Sequence, residues 1–264
     1  MTVKLEDAGL DRFKRVSEIA NMAPAYCEEN STIAEVVERM VSTGHRRMPI
    51  VDRKRRLVGV LTTSDVLDAF FKRENFKEKV SVMMVRDVVF CEADDTLDFV
   101  LQKFKLSRRG GFPILDDEKR LVGAISERDF VKRFSDVCFN VRVEECMTRK
   151  PLYISPNMSI MDCLKALVNT HYRRLPVVDQ GKLVGITTTA DVIKYIHKSN
   201  YNLDAMDESM EPVMTRDVCT MDKDLDVSEA IRLMRARDVG GVLVVEDGRL
   251  EGIITERDIL EEIE

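Results

Sequence analysis

Four times along the chain a glycine is followed after two residues by Thr or Ser, and after two more by Asp. The copies are Gly59-Val60-Leu61-Thr62-Thr63-Ser64-Asp65, Gly123-Ala124-Ile125-Ser126-Glu127-Arg128-Asp129, Gly185-Ile186-Thr187-Thr188-Thr189-Ala190-Asp191 and Gly252-Ile253-Ile254-Thr255-Glu256-Arg257-Asp258. The hydroxyl residues stand at 62, 126, 188 and 255, so successive intervals are 64, 62 and 67 residues. Self-similarity at a fixed period marks a chain built from copies of one supersecondary unit, and it restricts the fold more than any local propensity. Each heptapeptide reads as a strand end running into a helix start. Small and β-branched residues suit a buried strand, and Thr or Ser with Asp three residues on resembles a capping box with Asp in place of Glu or Gln.

A second set of signals precedes each anchor. Thr32, Thr96, Ser159 and Asp226 have the character of helix N-caps. Three have an acid three residues later, Glu35, Asp162 and Glu229, where the second repeat has Phe99. Apolar residues then follow helical spacing: Ile33, Val36, Val37, Met40 and Val41 in repeat one; Leu97, Val100, Leu101 and Phe104 in repeat two. Ile160, Cys163, Leu164, Leu167 and Val168 do so in repeat three, and Val227, Ala230, Ile231 and Met234 in repeat four. Next comes a strand pair around a charged turn, such as Met48-Pro49-Ile50-Val51 and Leu57-Val58-Gly59-Val60-Leu61. In repeats three and four the turn is shorter and holds Gly181 or Gly248, which suits a tight hairpin. A second helix follows each anchor, and a short strand such as Leu152-Tyr153-Ile154 precedes each first helix.

The unit is therefore strand, helix, strand, strand, helix, an α/β (α+β) fold. Its copies are predicted at residues 16–72, 79–135, 141–197 and 209–264, after a lead-in at 1–15 with an amphipathic helix around Leu5, Leu10 and Phe13. Residues 72–79, 135–141 and 197–209 separate the copies, and none is a Gly- or Pro-rich tether.

Composition excludes several functions. A net charge of −6 argues against non-specific nucleic-acid binding, which needs a basic face, and leaves room for local basic clusters. No apolar run is long enough to span a membrane, and no apolar leader opens the chain, which predicts a cytoplasmic protein. The six cysteines form no Cys-x-x-Cys pair and read as reduced, buried thiols; three scattered histidines make no metal site. No nucleophile with a base and no phosphate-cradling Walker loop is present, so an enzyme, or a catalytic cofactor, is not expected.

The pattern closely resembles the cystathionine-β-synthase (CBS) domain. The residues that carry the resemblance are Leu183-Val184-Gly185-Ile186-Thr187, Thr188 and Asp191, preceded by Arg174-Leu175-Pro176-Val177-Val178-Asp179. The openings Cys146-Met147-Thr148-Arg149 and Val213-Met214-Thr215-Arg216 match as well, and the resemblance spans residues 16–263. Four such repeats resemble the γ subunit of AMP-activated kinase and its archaeal relatives. The resemblance implies two tandem Bateman modules in a pseudo-symmetric disc. It also implies a regulatory protein that binds adenine nucleotides (AMP, ADP or ATP) in clefts between repeats and signals to a regulated protein partner. S-adenosylmethionine, its thioether product methylthioadenosine and NAD are alternative ligands, and a scaffold with degenerate pockets is a further reading. Oligomeric state stays open between one chain and a homodimer.

The residues support such a site in physical terms. A carboxylate can accept bonds from both hydroxyls of a ribose, so Asp65, Asp129, Asp191 and Asp258 are ribose candidates, with Thr62, Ser126, Thr188 and Thr255 adding a hydroxyl. The same residues also serve as helix caps, and both roles stand. Helix starts favour phosphate. Arg46-Arg47 and Arg173-Arg174 sit just before the second strand of repeats one and three, where the family commonly has His-Arg; Arg for His keeps charge and loses pH sensitivity. Repeats two and four have Gly110-Gly111 and Gly240-Gly241 there, so Arg108, Arg109, Arg128 and Arg257 are the remaining phosphate candidates. The alternation predicts sites of unequal affinity. Pro24, Val88, Pro151 and Val218, near the repeat openings, are candidates for an adenine slot and equally for core.

Overall fold

The computed structural model describes residues 3–134 and 138–264. Of the predicted 135–141 divider, 135–137 lie outside that range. Repeat one comprises β1 (Cys27–Glu28), α1 (Ile33–Thr43), β2 (Arg47–Val51), β3 (Leu57–Thr62) and α2 (Thr63–Phe71). Repeat two comprises β4 (Cys91–Glu92), α3 (Leu97–Ser107), β5 (Gly111–Leu115), β6 (Leu121–Ser126) and α4 (Glu127–Arg133). Repeat three begins with α5 (Val143–Cys146) and β7 (Thr148–Arg149), then runs α6 (Ile160–Thr170), β8 (Arg174–Asp179), β9 (Lys182–Thr188) and α7 (Thr189–Lys198). Repeat four comprises β10 (Thr220–Met221), α8 (Val227–Arg237), β11 (Gly241–Glu246), β12 (Arg249–Thr255) and α9 (Glu256–Glu261).

The first helices start at the expected caps. The side chains of Thr32, Thr96 and Ser159 accept the N–H of the third helical residue, and Asp226 accepts that of the second, Ser228. Only Glu35 closes a capping box on its cap; Asp162 and Glu229 turn to Lys165 and Arg232 instead. Each first strand lies parallel to the second and the second antiparallel to the third, except that repeat three replaces its first strand by a single bridge from Ile154 to Val177. The short hairpins turn through Gln180-Gly181 and Asp247-Gly248, all four with positive φ, the backbone a two-residue mirror-image turn requires.

The openings of the repeats join the sheet of the tandem neighbour. Asn21 pairs with Ala124 and Val85 with Val60; Ile186 pairs with Thr215, and β7 adds to β12. This exchange accounts for the glycine of the motif. A Cβ built on Gly59 would lie 2.6 Å from the Met84 sulfur, and one on Gly252 would lie 2.5 Å from the Met147 sulfur. The Met22 sulfur lies 2.9 Å from a Cβ built on Gly123, and at Gly185 the Thr215 carbonyl at 3.0 Å and the Met214 sulfur at 3.1 Å stand nearest.

Compactness follows alternate repeats, not tandem neighbours. One unit comprises Met1–Pro24, Val89–Pro151 and Val218–Glu264; the other comprises Ala25–Val88 and Leu152–Asp217. In the first, α4 packs on α8 and α9 over a core that includes Leu101, Phe112, Phe130, Val242 and Ile254. In the second, α2 packs on α6 and α7 over a core that includes Val37, Ile50, Leu67, Leu164 and Ile193.

The lead-in departs from expectation. Residues 3–15 form turns and two bridges, Val3 to Ile263 and Arg15 to Thr96, with no helix. Gly9 takes φ +87°, which breaks helical continuity, and the chain turns to bury Leu5 and Leu10 while Phe13 stays 78% exposed. The thiols also differ from a uniformly buried set. Burial pushes Cys91, Cys146 and Cys163 up to about 12, which keeps them protonated. Cys138 is exposed, with its sulfur 3.3 Å from Asp226 Oδ2.

Candidate functional site

In all four motifs one carboxylate oxygen takes two bonds from the anchor. Asp65 Oδ2 accepts the Thr62 N–H at 2.7 Å and its hydroxyl at 2.7 Å. The Ser126–Asp129 distances are 2.7 and 2.6 Å, Thr188–Asp191 2.9 and 2.7 Å, and Thr255–Asp258 2.7 and 2.7 Å. Among the described residues no bond reaches the other oxygen, Oδ1, of these four side chains. The carboxylate therefore caps and retains an acceptor, but its two oxygens are not equally open to a diol. Oδ1 alone, with its two lone pairs, is left to receive a ligand.

The helix starts are also less open than the sequence suggests. The first helical N–H, from Thr63 or Thr189, donates to the carbonyl of Arg46 at 3.0 Å or of Arg173 at 3.1 Å. The third, from Asp65 or Asp191, donates to the anchor hydroxyl at 3.3 Å. Of the four N–H groups a helix start leaves over, only that of Ser64 or Ala190 has no partner among the described residues. The site offers an anion one amide, so side-chain cations must supply the rest.

Strand register puts such cations opposite the anchors in two repeats. Arg47 pairs with Thr62 and Arg174 with Thr188, whereas Gly111 pairs with Ser126 and Gly241 with Thr255. Arg46, Arg47, Arg173 and Arg174 are half-buried, and each already interacts with other groups of the protein.

The residue after the anchor alternates as well. In repeats one and three it is Thr63 or Thr189, both buried, whose hydroxyls meet at 3.3 Å. In repeats two and four it is Glu127 or Glu256, with side chains only 3% exposed. Arg128 Nε donates to Glu256 at 2.8 Å, and Arg257 Nε donates to Glu127 at 2.9 Å, a crossed pair between α4 and α9. Arg257 also donates to the Arg108 carbonyl at 2.5 Å, and Arg128 and Lys132 reach Asp238 at 3.4 and 2.8 Å. The Lys132 bond, with Arg128 nearby, holds the Asp238 carboxyl below its usual range despite partial burial. Burial raises that of Asp258 against the bonds from Thr255.

The CBS domain model matches residues 16–72, 79–136, 143–198 and 210–264. The chain belongs to the CBS domain family. It is 30% identical to the uncharacterized protein MJ1225 of Methanocaldococcus jannaschii, over 94% of this chain and 98% of that one. It is 27% identical to a 33.4 kDa protein encoded in a ribosomal RNA operon of Thermofilum pendens, over 93% and 91% of the two chains. The solved structure of MJ1225, described as a proposed archaeal homologue of g-AMPK, superposes with a TM-score of 0.86, covering 94% and 99% of the chains.

Within these CBS repeats the candidate residues fall into distinct settings. Arg128 and Arg257 each donate to a buried carboxylate. Their partners lie about 130 residues away in sequence, so no local pattern shows the pairing. Arg108 and Arg109 are exposed beyond the end of α3, with Arg108 at φ +53°. Pro24, Val88, Pro151 and Val218 stand at the four points where the chain passes from one compact unit to the other; Pro24 is buried and the rest half-buried. A cleft of about 400 Å³, unforeseen from sequence, lies beside Asp65, lined also by Asp68, Lys72, Glu74, Glu78 and Met83. Asp65 and Asp68 on α2 and Lys72 just past its end are spaced by three and four, a pattern that could have flagged it. Among the described residues no group of three or more His, Cys, Asp or Glu is arranged to hold a metal ion, and no helix is long and apolar enough to cross a membrane.

Proposed function

We propose that this CBS protein is a non-catalytic regulatory sensor of adenine nucleotides, AMP, ADP or ATP, which passes their binding on to a protein partner. The observation that carries the reading is the register that sets Arg47 and Arg174 opposite the anchors whose Asp65 and Asp191 keep Oδ1 open. A ribose needs an acceptor and a phosphate needs cations, and repeats one and three carry an acceptor at the helix start and an arginine on the strand opposite. The likeness to a protein described as a proposed g-AMPK homologue supports the same reading. Binding alters the partner's response only through a difference in affinity between two states of the sensor.

A thermal-shift panel of AMP, ADP, ATP, NAD and S-adenosylmethionine tests this, on wild type and Asp191→Asn. An asparagine turns its one oxygen to the cap and puts an amide donor where the ligand needs an acceptor. A ligand at a hundred times its Kd stabilises by about 2.7 kcal/mol. The expected result is a shift with adenine nucleotides that shrinks in the variant. No shift with any compound would leave the protein as a scaffold.

A further inference from the structure

We infer that Glu127 and Glu256 close repeats two and four to phosphate-bearing ligands by holding Arg128 and Arg257, so that nucleotide phosphates bind only at repeats one and three. The inference rests on the adenine-nucleotide reading and adds to it which helix starts accept charge.

Several features of the compact unit built on repeats two and four converge. Its strand positions opposite the anchors are Gly111 and Gly241, which carry no charge. The cations inside its Asp motifs, Arg128 and Arg257, each donate to a carboxylate that is almost wholly buried. A phosphate could take either guanidinium only by breaking a buried ion pair, which is expensive. The carboxylates also repel a phosphate directly. Asp238 adds a further negative group where it binds Arg128 and Lys132. The helices are short too, seven residues for α4 and six for α9 against nine for α2 and ten for α7.

At the two motif positions after the anchor the other unit carries neither glutamate nor arginine. Thr63 and Thr189 replace the glutamates and pair as neutral hydroxyls, and Ser64 and Ala190 replace the arginines. The alternation Glu-Arg against Thr-Ser or Thr-Ala is thus a selectivity rule written into the motif. The neutral pair tolerates a nearby phosphate, and the crossed ion pair excludes one.

Equilibrium dialysis with ATP, and with adenosine as the uncharged probe, decides the matter on the full chain. Two ATP molecules per chain are expected. Asp65→Asn and Asp191→Asn should each remove one, while Asp129→Asn and Asp258→Asn leave ATP stoichiometry unchanged. The double variant Glu127→Gln, Glu256→Gln keeps the side-chain shape and releases the arginines. It should bind ATP at repeats two and four at least tenfold more tightly than wild type, with adenosine affinity unchanged. If Asp129→Asn or Asp258→Asn removes a bound ATP, or the glutamine variant folds and binds ATP as wild type does, the inference is wrong and the nucleotide reading survives. If wild type binds neither ATP nor adenosine, both fall. The four Asp→Asn variants decide the inference even if the glutamine variant fails to fold.

Discussion

Thr187 is the side chain most at odds with its surroundings. The equivalent positions of the other repeats hold Leu61, Ile125 and Ile254, and all four are buried. The Thr187 hydroxyl has no hydrogen-bond partner among the described residues. An unmatched buried hydroxyl costs about 1–3 kcal/mol. Val has the same branched shape without the oxygen, so Thr187→Val should stabilise the protein by roughly 1 kcal/mol and raise the melting midpoint by about 2–4 °C. Denaturant titration and a thermal melt would check it. A lower midpoint would show that the hydroxyl is satisfied in solution, and with it the reason repeat three keeps a threonine.

At the scale of elements, the exchanged openings make the motif glycine a contact residue. Gly59→Val would drive a branched side chain into Met84 and toward the Val85 carbonyl, 3.1 Å from the ideal Cβ. Val60 and Val85 exchange backbone bonds at 2.9 Å beside it, so the opening has little room to retreat. A loss of about 1–3 kcal/mol is expected, the usual range for overpacking. If the methionine is the obstacle, Met84→Ala in the same chain should recover part of that loss; strict additivity of the two changes would place the clash elsewhere. The sequence made the helices, hairpins and caps legible because each depends on residues three or four apart. Nothing that local shows which sheet an opening joins. The four Met–Gly pairs mark the exchange only once their spatial meeting is known. The site divides in the same way. Thr62 to Asp65 is a local bond and was readable as a cap. The crossed pairing of Arg128 and Arg257 joins two repeats, and their charge alone suggested phosphate. The lead-in failed for a third reason: burying Leu5 and Leu10 needs only a turn, and Gly9 supplies one.

For the molecule as a whole, the consequential fact is that each core is shared by alternate repeats. The buried faces of α2, with Val66, Leu67 and Phe70, and of α4, with Phe130 and Val131, pack on helices from the second half of the chain. A chain ended at Asn140 would expose both faces, and apolar patches of that kind do not stay in water when a partner is at hand. A second copy of the fragment is such a partner. Thr63 can meet its own counterpart as it meets Thr189, and Glu127 and Arg128 can form the crossed ion pair with their own counterparts, because repeats two and four carry the same Glu-Arg. The fragment 1–140 should therefore sediment as a dimer at micromolar concentration. Arg128→Glu within it should weaken the dimer at least tenfold, since two attractive pairs become repulsive at buried carboxylates. A cooperatively folded monomer would mean that tandem neighbours hold a core by themselves. A dimer indifferent to Arg128→Glu would mean that the copies meet through another face.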